Sequence, residues 1–272
     1  MRIAFVGSGN MTMSLVGGLR AAGVPGEEIV VADPVPGQVA GVVREHDVRG
    51  AAGNAEAASG ADVVVLAVKP QDMAAAATEV APALARRGVV VVSIAAGIRL
   101  ASLAGWLGSD TAIVRSMPNR PALIGAGITA AVANERTDAT QRAAAERVLA
   151  AAGSVVWLDD ERLLDAVTAV SGSGPAYFFL LMEAIEAAGT SLGLPAAIAR
   201  QLAVQTALGA GRMAAEGSDP PAALREQVTS KGGTTAAALA VLEGADLRGI
   251  FDRAIAAAAC RSAELADQFG GR

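Results

Sequence analysis

Ile3-Ala4-Phe5-Val6-Gly7-Ser8-Gly9-Asn10-Met11 opens the chain and decides its fold. Its apolar residues read as a strand buried on both sides, and a glycine-rich turn follows at once. Behind the turn, Leu15, Gly18, Leu19 and Ala22 recur at helical spacing, and Gly17 and Gly18 predict a helix packed close on the sheet. Strand, Gly-x-Gly turn and helix, in that order, form the phosphate cradle of dinucleotide-binding folds. The first glycine permits the turn, and the second lets a pyrophosphate approach the helix N-terminus. The third position is Thr12, not Gly or Ala, a departure expected to loosen that packing. Without a ligand the same residues would be a tight turn and nothing more.

Outward from this stretch the β pattern continues. Strands are predicted at 2–6, 29–32, 63–68, 89–94, 112–115, 128–132 and 155–158, alternating with helical stretches, one of them 139–151. That alternation predicts a parallel sheet with helices on both faces. Asp33 ends the second strand, where a carboxylate can bind ribose hydroxyls and repel a 2′-phosphate. Taken alone it favours NADH over NADPH, although a plain Asp-Pro turn would look the same. After Asp160 the β signal stops. Helices are predicted at 163–170, 175–192, 196–215, 222–228, 235–242 and 247–269, with Pro175 at a first helical position capped by Ser173 or Gly174. The expected division is a dinucleotide-binding domain over 1–162 and an all-α domain over 163–272.

A second polar segment stands out in the helical half: Val228-Thr229-Ser230-Lys231-Gly232-Gly233-Thr234-Thr235. Backbone N–H groups beside small hydroxyl side chains make a cup for a carboxylate. An ordinary helix-turn-helix junction uses the same residues.

Composition narrows the classes further. Of 272 residues, 53% are hydrophobic but only 3% aromatic, so the core must be built from Ala, Val, Leu and Ile. The formal charge is −5 and the basic residues are scattered, which argues against nucleic acid. A lone cysteine, Cys260, excludes an internal disulfide and a cysteine metal cluster, so no metal is expected; it reads as a buried thiol. The longest uncharged run, 166–182, is broken by Ser171-Gly172-Ser173-Gly174-Pro175, unsuited to a membrane span. With a strand at the very start and no leader-like run, the expectation is a cytoplasmic protein without membrane contact.

With these segments placed, the chain resembles the pyrroline-5-carboxylate reductase family over essentially its whole length. The resemblance rests on Gly7-Ser8-Gly9-Asn10-Met11, Ala67-Val68-Lys69-Pro70-Gln71, Ser93-Ile94-Ala95-Ala96-Gly97 and Arg115-Ser116-Met117-Pro118-Asn119. It continues through Ala169-Val170-Ser171-Gly172-Ser173-Gly174-Pro175-Ala176-Tyr177 to Val228-Thr229-Ser230 and Gly232-Gly233-Thr234-Thr235. It implies a Rossmann-like dinucleotide-binding domain, a helical dimerisation domain and a substrate pocket completed across a homodimer, with further assembly of dimers left open. It also implies NADPH or NADH as cofactor and reduction of 1-pyrroline-5-carboxylate to L-proline. Gly7, Ser8, Gly9, Asn10, Met11, Asp33, Ala67, Val68, Lys69, Pro70, Ala95, Gly97, Met117 and Asn119 would line the cofactor. Ser230, Gly232, Gly233 and Thr234 would hold the substrate carboxylate, with Val228 and Lys231 in the same cup, and Thr235 would serve catalysis by hydrogen-bonding the ring nitrogen.

Three positions depart from the family pattern: Thr12, usually Ala; Arg120, usually Thr; and Lys231, usually Pro. Lys231 adds charge to the cup and loosens a turn that proline would stiffen. The residue inventory suits imine reduction, because a protonated imine is already electrophilic and needs mainly positioning. The only histidine, His46, reads as surface, and the only tyrosine, Tyr177, as core. Two other readings stay open at this point: a reductase of another cyclic imino acid, and a non-catalytic nucleotide-binding homologue.

Overall fold

Short Val-, Ile- and Ala-rich runs become strands here because both faces of the sheet are covered. In the computed structural model, which describes residues 1–84 and 88–270, they are β1 (Ile3–Val6), β2 (Ile29–Ala32), β3 (Arg49–Gly50), β4 (Val63–Leu66), β5 (Val90–Ser93), β6 (Ala112–Met117), β7 (Gly127–Ala133) and β8 (Gly153–Trp157). They form one sheet in the order β3-β2-β1-β4-β5-β6-β7-β8. Pairing is parallel from β3 to β6, with Ile3 opposite Ile29 on one side and Val63 on the other. Strand order runs one way from β1 to β3 and the other way from β4. This leaves a crevice beyond the carboxyl ends of β1 and β4, the ligand position of open α/β sheets.

Helices cover both faces: α1 (Asn10–Ala21), α2 (Pro36–His46), α3 (Asn54–Ala58), α4 (Met73–Val80), α5 (Leu100–Leu107) and α6 (Ala139–Leu149). Successive strand side chains point to opposite faces, so β1 splits its residues between two cores. Ile3 and Phe5 join Leu15 and Leu19 of α1 and Val148 of α6; Ala4 and Val6 join Met73 and Val80 of α4 and Leu103 of α5.

The sheet differs from the expectation in two places. β3 is only two exposed residues, too short and too polar to leave a signal. β7 runs antiparallel to β6, because the connection 118–126 is shorter than the dozen or so residues that a parallel crossover needs. The α1 glycines also do a different job. Gly18 faces the Ala151 carbonyl, and Gly17 faces the His46 ring, so the close approaches are to a turn and a side chain rather than to the sheet. His46 is accordingly half-buried under α1, not a surface residue, and its carbonyl accepts from Arg20 Nε at 2.8 Å.

The remaining helices are α7 (Leu163–Val167), α8 (Gly174–Ser191), α9 (Ala196–Glu216), α10 (Pro221–Gln227), α11 (Thr234–Gly244) and α12 (Leu247–Gly270), with a π-turn over Thr168–Gly172. The chain forms two compact units. The sheet unit holds Met1–Ser173 and the chain from Ala257 on, and the helical unit is Gly174–Ala256. These compact units part at 173/174, whereas the expected domains part at 162/163. Leu164 is buried against Ala130 and Val132 of β7, which keeps α7 with the sheet, and the end of α12 returns to it. Cys260 is exposed on α12, with Sγ 3.7 Å from Glu264, and not a buried thiol, because that helix buries Ser262 and Ala266 instead.

The helical unit leaves its apolar surface open. Among its described residues only Gly174, Ala199 and Ala203 are buried, while Phe178, Leu180, Leu192 and Val241 are all more than 60% exposed. Each such side chain forgoes about 1.5–3 kcal/mol of burial. A helix that is apolar all round needs a covering partner. Among the described residues, no helix is long and apolar enough to cross a membrane.

Candidate active site

The cofactor residues read from the sequence gather at the carboxyl rim of the sheet. After β1 the chain turns at Gly7, whose N–H donates to Ala32 at 2.8 Å. Its φ of +101° favours glycine, and a Cβ there would lie 2.7 Å from the Ala67 carbonyl oxygen. Thr12 does not loosen the motif as expected. It is fully buried, and its hydroxyl donates to the Gly7 carbonyl at 2.7 Å, fastening the turn to α1.

Asp33 is occupied by the same turn. Its Oδ2 accepts from the Ser8 N–H at 2.8 Å and its Oδ1 from the Val35 N–H at 2.9 Å. The carboxylate thus braces the glycine-rich loop. α1 has no side-chain cap. Its first backbone bond runs from Met13 to Gly9, which leaves the N–H groups of Asn10, Met11 and Thr12 unpaired within the helix. The Ser8 hydroxyl is buried with no hydrogen-bond partner among the described residues. Open N–H groups, a helix dipole, an orphan hydroxyl and the missing Cβ of Gly7 fit a dinucleotide phosphate.

Beyond β4, the Ala67 N–H donates to Val6 at 2.7 Å. Val68 follows, and the exposed Lys69 leads into the single turn Pro70–Asp72. Beyond β5 lies the loop that carries Ala95 and Gly97 and ends at α5. The Leu100 N–H donates to Glu161 Oε1 at 2.7 Å, and the buried Arg115 of β6 reaches the same oxygen at 2.7 Å. Glu161 and Arg115 were not legible as a pair, because 46 residues separate them and the segment from Arg115 to Asn119 gives no sign of a distant carboxylate partner.

Beyond β6, Asn119 spends its amide on structure. Oδ1 accepts from the Ile128 N–H at 3.0 Å, and Nδ2 donates to the Ser171 carbonyl at 3.3 Å. Pro175 explains the second bond: it has no N–H, so the carbonyl four residues earlier lacks its helical donor. Pro175 is consequently not a capped first position. α8 continues from the π-turn, closed by Ser173 N–H to Thr168 at 2.8 Å. Met117 lies over Gly172, where a Cβ would come within 2.7 Å of Met117 Cε. Arg120 is exposed, with no ion pair among the described residues.

The helical unit holds the second set. α10 ends at Gln227, and Val228 is 61% exposed. Thr229 closes the turn through its hydroxyl to Arg225 at 2.5 Å, and Gly232 takes a left-handed φ of +73°. The Gly233 N–H donates to Ser230 at 3.0 Å, and Gly233 caps α11 with no side-chain bond. The N–H groups of Thr234, Thr235 and Ala236 are left without a preceding turn, and the Thr234 and Thr235 hydroxyls have no partner among the described residues. This is an uncapped helix N-terminus with two hydroxyls, and Lys231 is exposed beside it. Behind it, Glu243 of α11 receives Arg248 at 2.8 Å and Arg225 at 3.8 Å. Hydrogen bonds from Arg248, more than the charges of Arg248 and Arg225, hold its carboxyl below the ordinary glutamate value. Tyr177 is half-buried, its ring edge-on to Phe251 at 6.4 Å.

The Rossmann-like sheet with open N–H groups at its carboxyl rim, and the helical unit with its uncapped α11, are the parts of an oxidoreductase, the class that comparison with known proteins supports. Residues 161–265 match the family described as pyrroline-5-carboxylate reductase dimerisation, and residues 2–97 the one described as NADP oxidoreductase coenzyme F420-dependent. The chain belongs to the pyrroline-5-carboxylate reductase family, the reductases of proline biosynthesis. The family's reductase from Pseudomonas aeruginosa is 51% identical over 269 residues, which cover 99% of this chain and 98% of the relative. A solved pyrroline-5-carboxylate reductase from Coxiella burnetii superposes with a TM-score of 0.94 at 40% identity, covering 97% of this chain and 98% of that one. The Plasmodium falciparum enzyme, solved with NADP bound, gives 0.84 at 27% identity over 98% of both chains.

Proposed function

We propose that this chain reduces the C=N bond of 1-pyrroline-5-carboxylate to give L-proline, using NADH or NADPH, and that it works as a homodimer. The single observation that carries the substrate side is the uncapped N-terminus of α11. Its open N–H groups and helix dipole suit one carboxylate, and Ser230, Gly232, Gly233 and Thr234 complete the cup. Thr235, one residue into the helix, is assigned to the ring nitrogen: in the protonated imine, its free hydroxyl oxygen can accept a hydrogen bond from that N–H. Val228 and Lys231 flank the same cup.

On the cofactor side, Gly7, Ser8, Gly9, Asn10 and Met11 hold the pyrophosphate, and Asp33 stands at the ribose. Ala67–Pro70, Ala95, Gly97, Met117 and Asn119 form the rest of the rim. When bound, the dinucleotide supplies the hydride for the imine carbon. The protein's share is orientation and exclusion of water, which fits a site with few acid–base groups. The 1–162 portion is the dinucleotide half in this scheme, and 163–272 is the dimerisation and substrate half. The dimer reading draws on the uncovered helical unit.

The test is cofactor oxidation with pyrroline-5-carboxylate and with its six-membered homologue, each with NADH and NADPH. Turnover of the five-membered imine is expected. Turnover of only the six-membered ring would replace the substrate, and dinucleotide binding without turnover of either would reduce the protein to a binding module.

A further inference from the structure

The last turns of α12 lie against the loop between β5 and α5 and the start of α5. Gly97 has a left-handed φ of +75°, and a Cβ on it would sit 3.3 Å from Phe269 Cδ2 and 3.6 Å from the Ala266 nitrogen. Arg99 Nη2 meets Asp267 at 2.8 Å, and the Ser102 hydroxyl donates to the Gly270 carbonyl at 3.4 Å. The Ser262 hydroxyl donates to Asp165 at 2.7 Å and fixes the helix to α7. Ser262 and Ala266 are buried, and Phe269 packs into the same core as Ile98 and Leu103. One end of the loop is therefore tied by Glu161 and its middle by the C-terminal helix.

We propose that the C-terminal turns of α12 are a strap that sets the Ala95–Gly97 loop for the dinucleotide, with Phe269 as the positioning residue. The proposal rests on the functional reading above, in which Ala95 and Gly97 line the cofactor. The loop has a soft, glycine-bearing backbone and few hydrogen bonds of its own; the Ala95 N–H reaches the Ser93 hydroxyl only at 3.4 Å. Its conformation is held from outside. The Phe269 ring lies where a side chain at residue 97 would stand, so ring and glycine form one fitted pair. Loosening the strap raises the free energy of the cofactor-ready loop. It acts on dinucleotide affinity and leaves the substrate cup untouched.

The experiment is direct titration of the full-length enzyme with NADPH and NADH by nicotinamide fluorescence, beside steady-state kinetics. Phe269→Ala is expected to raise the dinucleotide Kd and KM roughly tenfold, while kcat at saturating cofactor and the KM for the imine stay within about twofold. Phe269→Leu, which keeps an apolar side chain, should recover most of the loss. Asp267→Asn removes only the exposed ion pair to Arg99, so it remains a readable variant if Phe269→Ala does not fold; a smaller rise in Kd of about two- to threefold is expected. Hydrogen exchange at residues 95–99 of the apo enzyme should speed up in both variants. Wild-type affinity and unchanged exchange in Asp267→Asn and Phe269→Ala overturn the strap alone. A wild-type enzyme that binds no dinucleotide overturns the functional reading and the strap with it.

Discussion

Replacing Asp33 separates the two jobs its carboxylate performs. The bond from the Ser8 N–H to Oδ2, at 2.8 Å, has a charged acceptor and a buried donor residue. The bond from the Val35 N–H to Oδ1, at 2.9 Å, lies at an exposed turn. Asparagine has a single acceptor oxygen. The buried donor is the dearer one to abandon, so the amide should turn its oxygen to Ser8 and leave Val35 to water. Asp33→Asn then loses charge assistance on one bond and all of another, about 1–2 kcal/mol. Asp33→Ala also strands the Ser8 N–H and should cost about 2–4 kcal/mol. At about 2–4 °C per kcal/mol, thermal unfolding resolves the two variants. Both also remove the negative charge that disfavours a 2′-phosphate, so preference for NADPH over NADH should rise roughly tenfold, and Asp33→Ser with Pro34→Arg should raise it further. The assay is a melting curve and a Kd for each cofactor. An Asp33→Ala enzyme as stable as wild type would refute the brace. An unmoved cofactor ratio, or a wild type that already favours NADPH, would place the carboxylate away from the ribose.

Thr235→Val keeps the side-chain shape and removes the hydroxyl, so kcat should fall by the equivalent of about 1–3 kcal/mol; an unchanged kcat would remove Thr235 from the chemical step. Lys231→Pro should change the KM for the imine with little effect on kcat and make that KM less sensitive to salt, because the carboxylate is present in ground and transition states alike. Light scattering at micromolar concentration should give a dimer or a multiple of one, with an interface above roughly 2,000 Å²; a monodisperse monomer contradicts this. The Glu243 carboxyl is depressed by Arg248, so its contribution to stability is present above the unfolded value and is lost as pH falls through the folded one. Arg248→Gln should therefore shrink the acid-side loss seen in melting curves taken from neutral pH downward.

Much of this architecture could be read from the residues alone. Val63–Leu66 and Val90–Ser93 are continuous apolar runs that only a doubly covered strand tolerates, and both lie where the sequence placed them. The uncapped start of α11 was visible as a polar interruption between alanine-rich helices. What escaped was set by partners far along the chain. The direction of β7 depends on a short connection, not on its own residues. Thr12 looked like a defect in the motif until its hydroxyl met Gly7. Asp33 was legible as an acid at a strand end, but its grip on the Ser8 N–H was not. The fit of Phe269 against Gly97 left no periodic or local signal at all.

The return of α12 also orders events in time. Ser102 and Gly270 touch across 168 residues of sequence. At about 5–20 residues per second, a ribosome needs roughly 8–34 s to make the chain between them. The sheet can collapse early, because its strands and covering helices are already synthesised. If the strap proposed above holds, the Ala95–Gly97 loop waits for the turns of α12 around Phe269 and Gly270. In the proposed scheme, a chain clipped before Phe269 would have the nucleotide fold without its strap, so competence for the cofactor arrives only after these turns of α12 have left the ribosome.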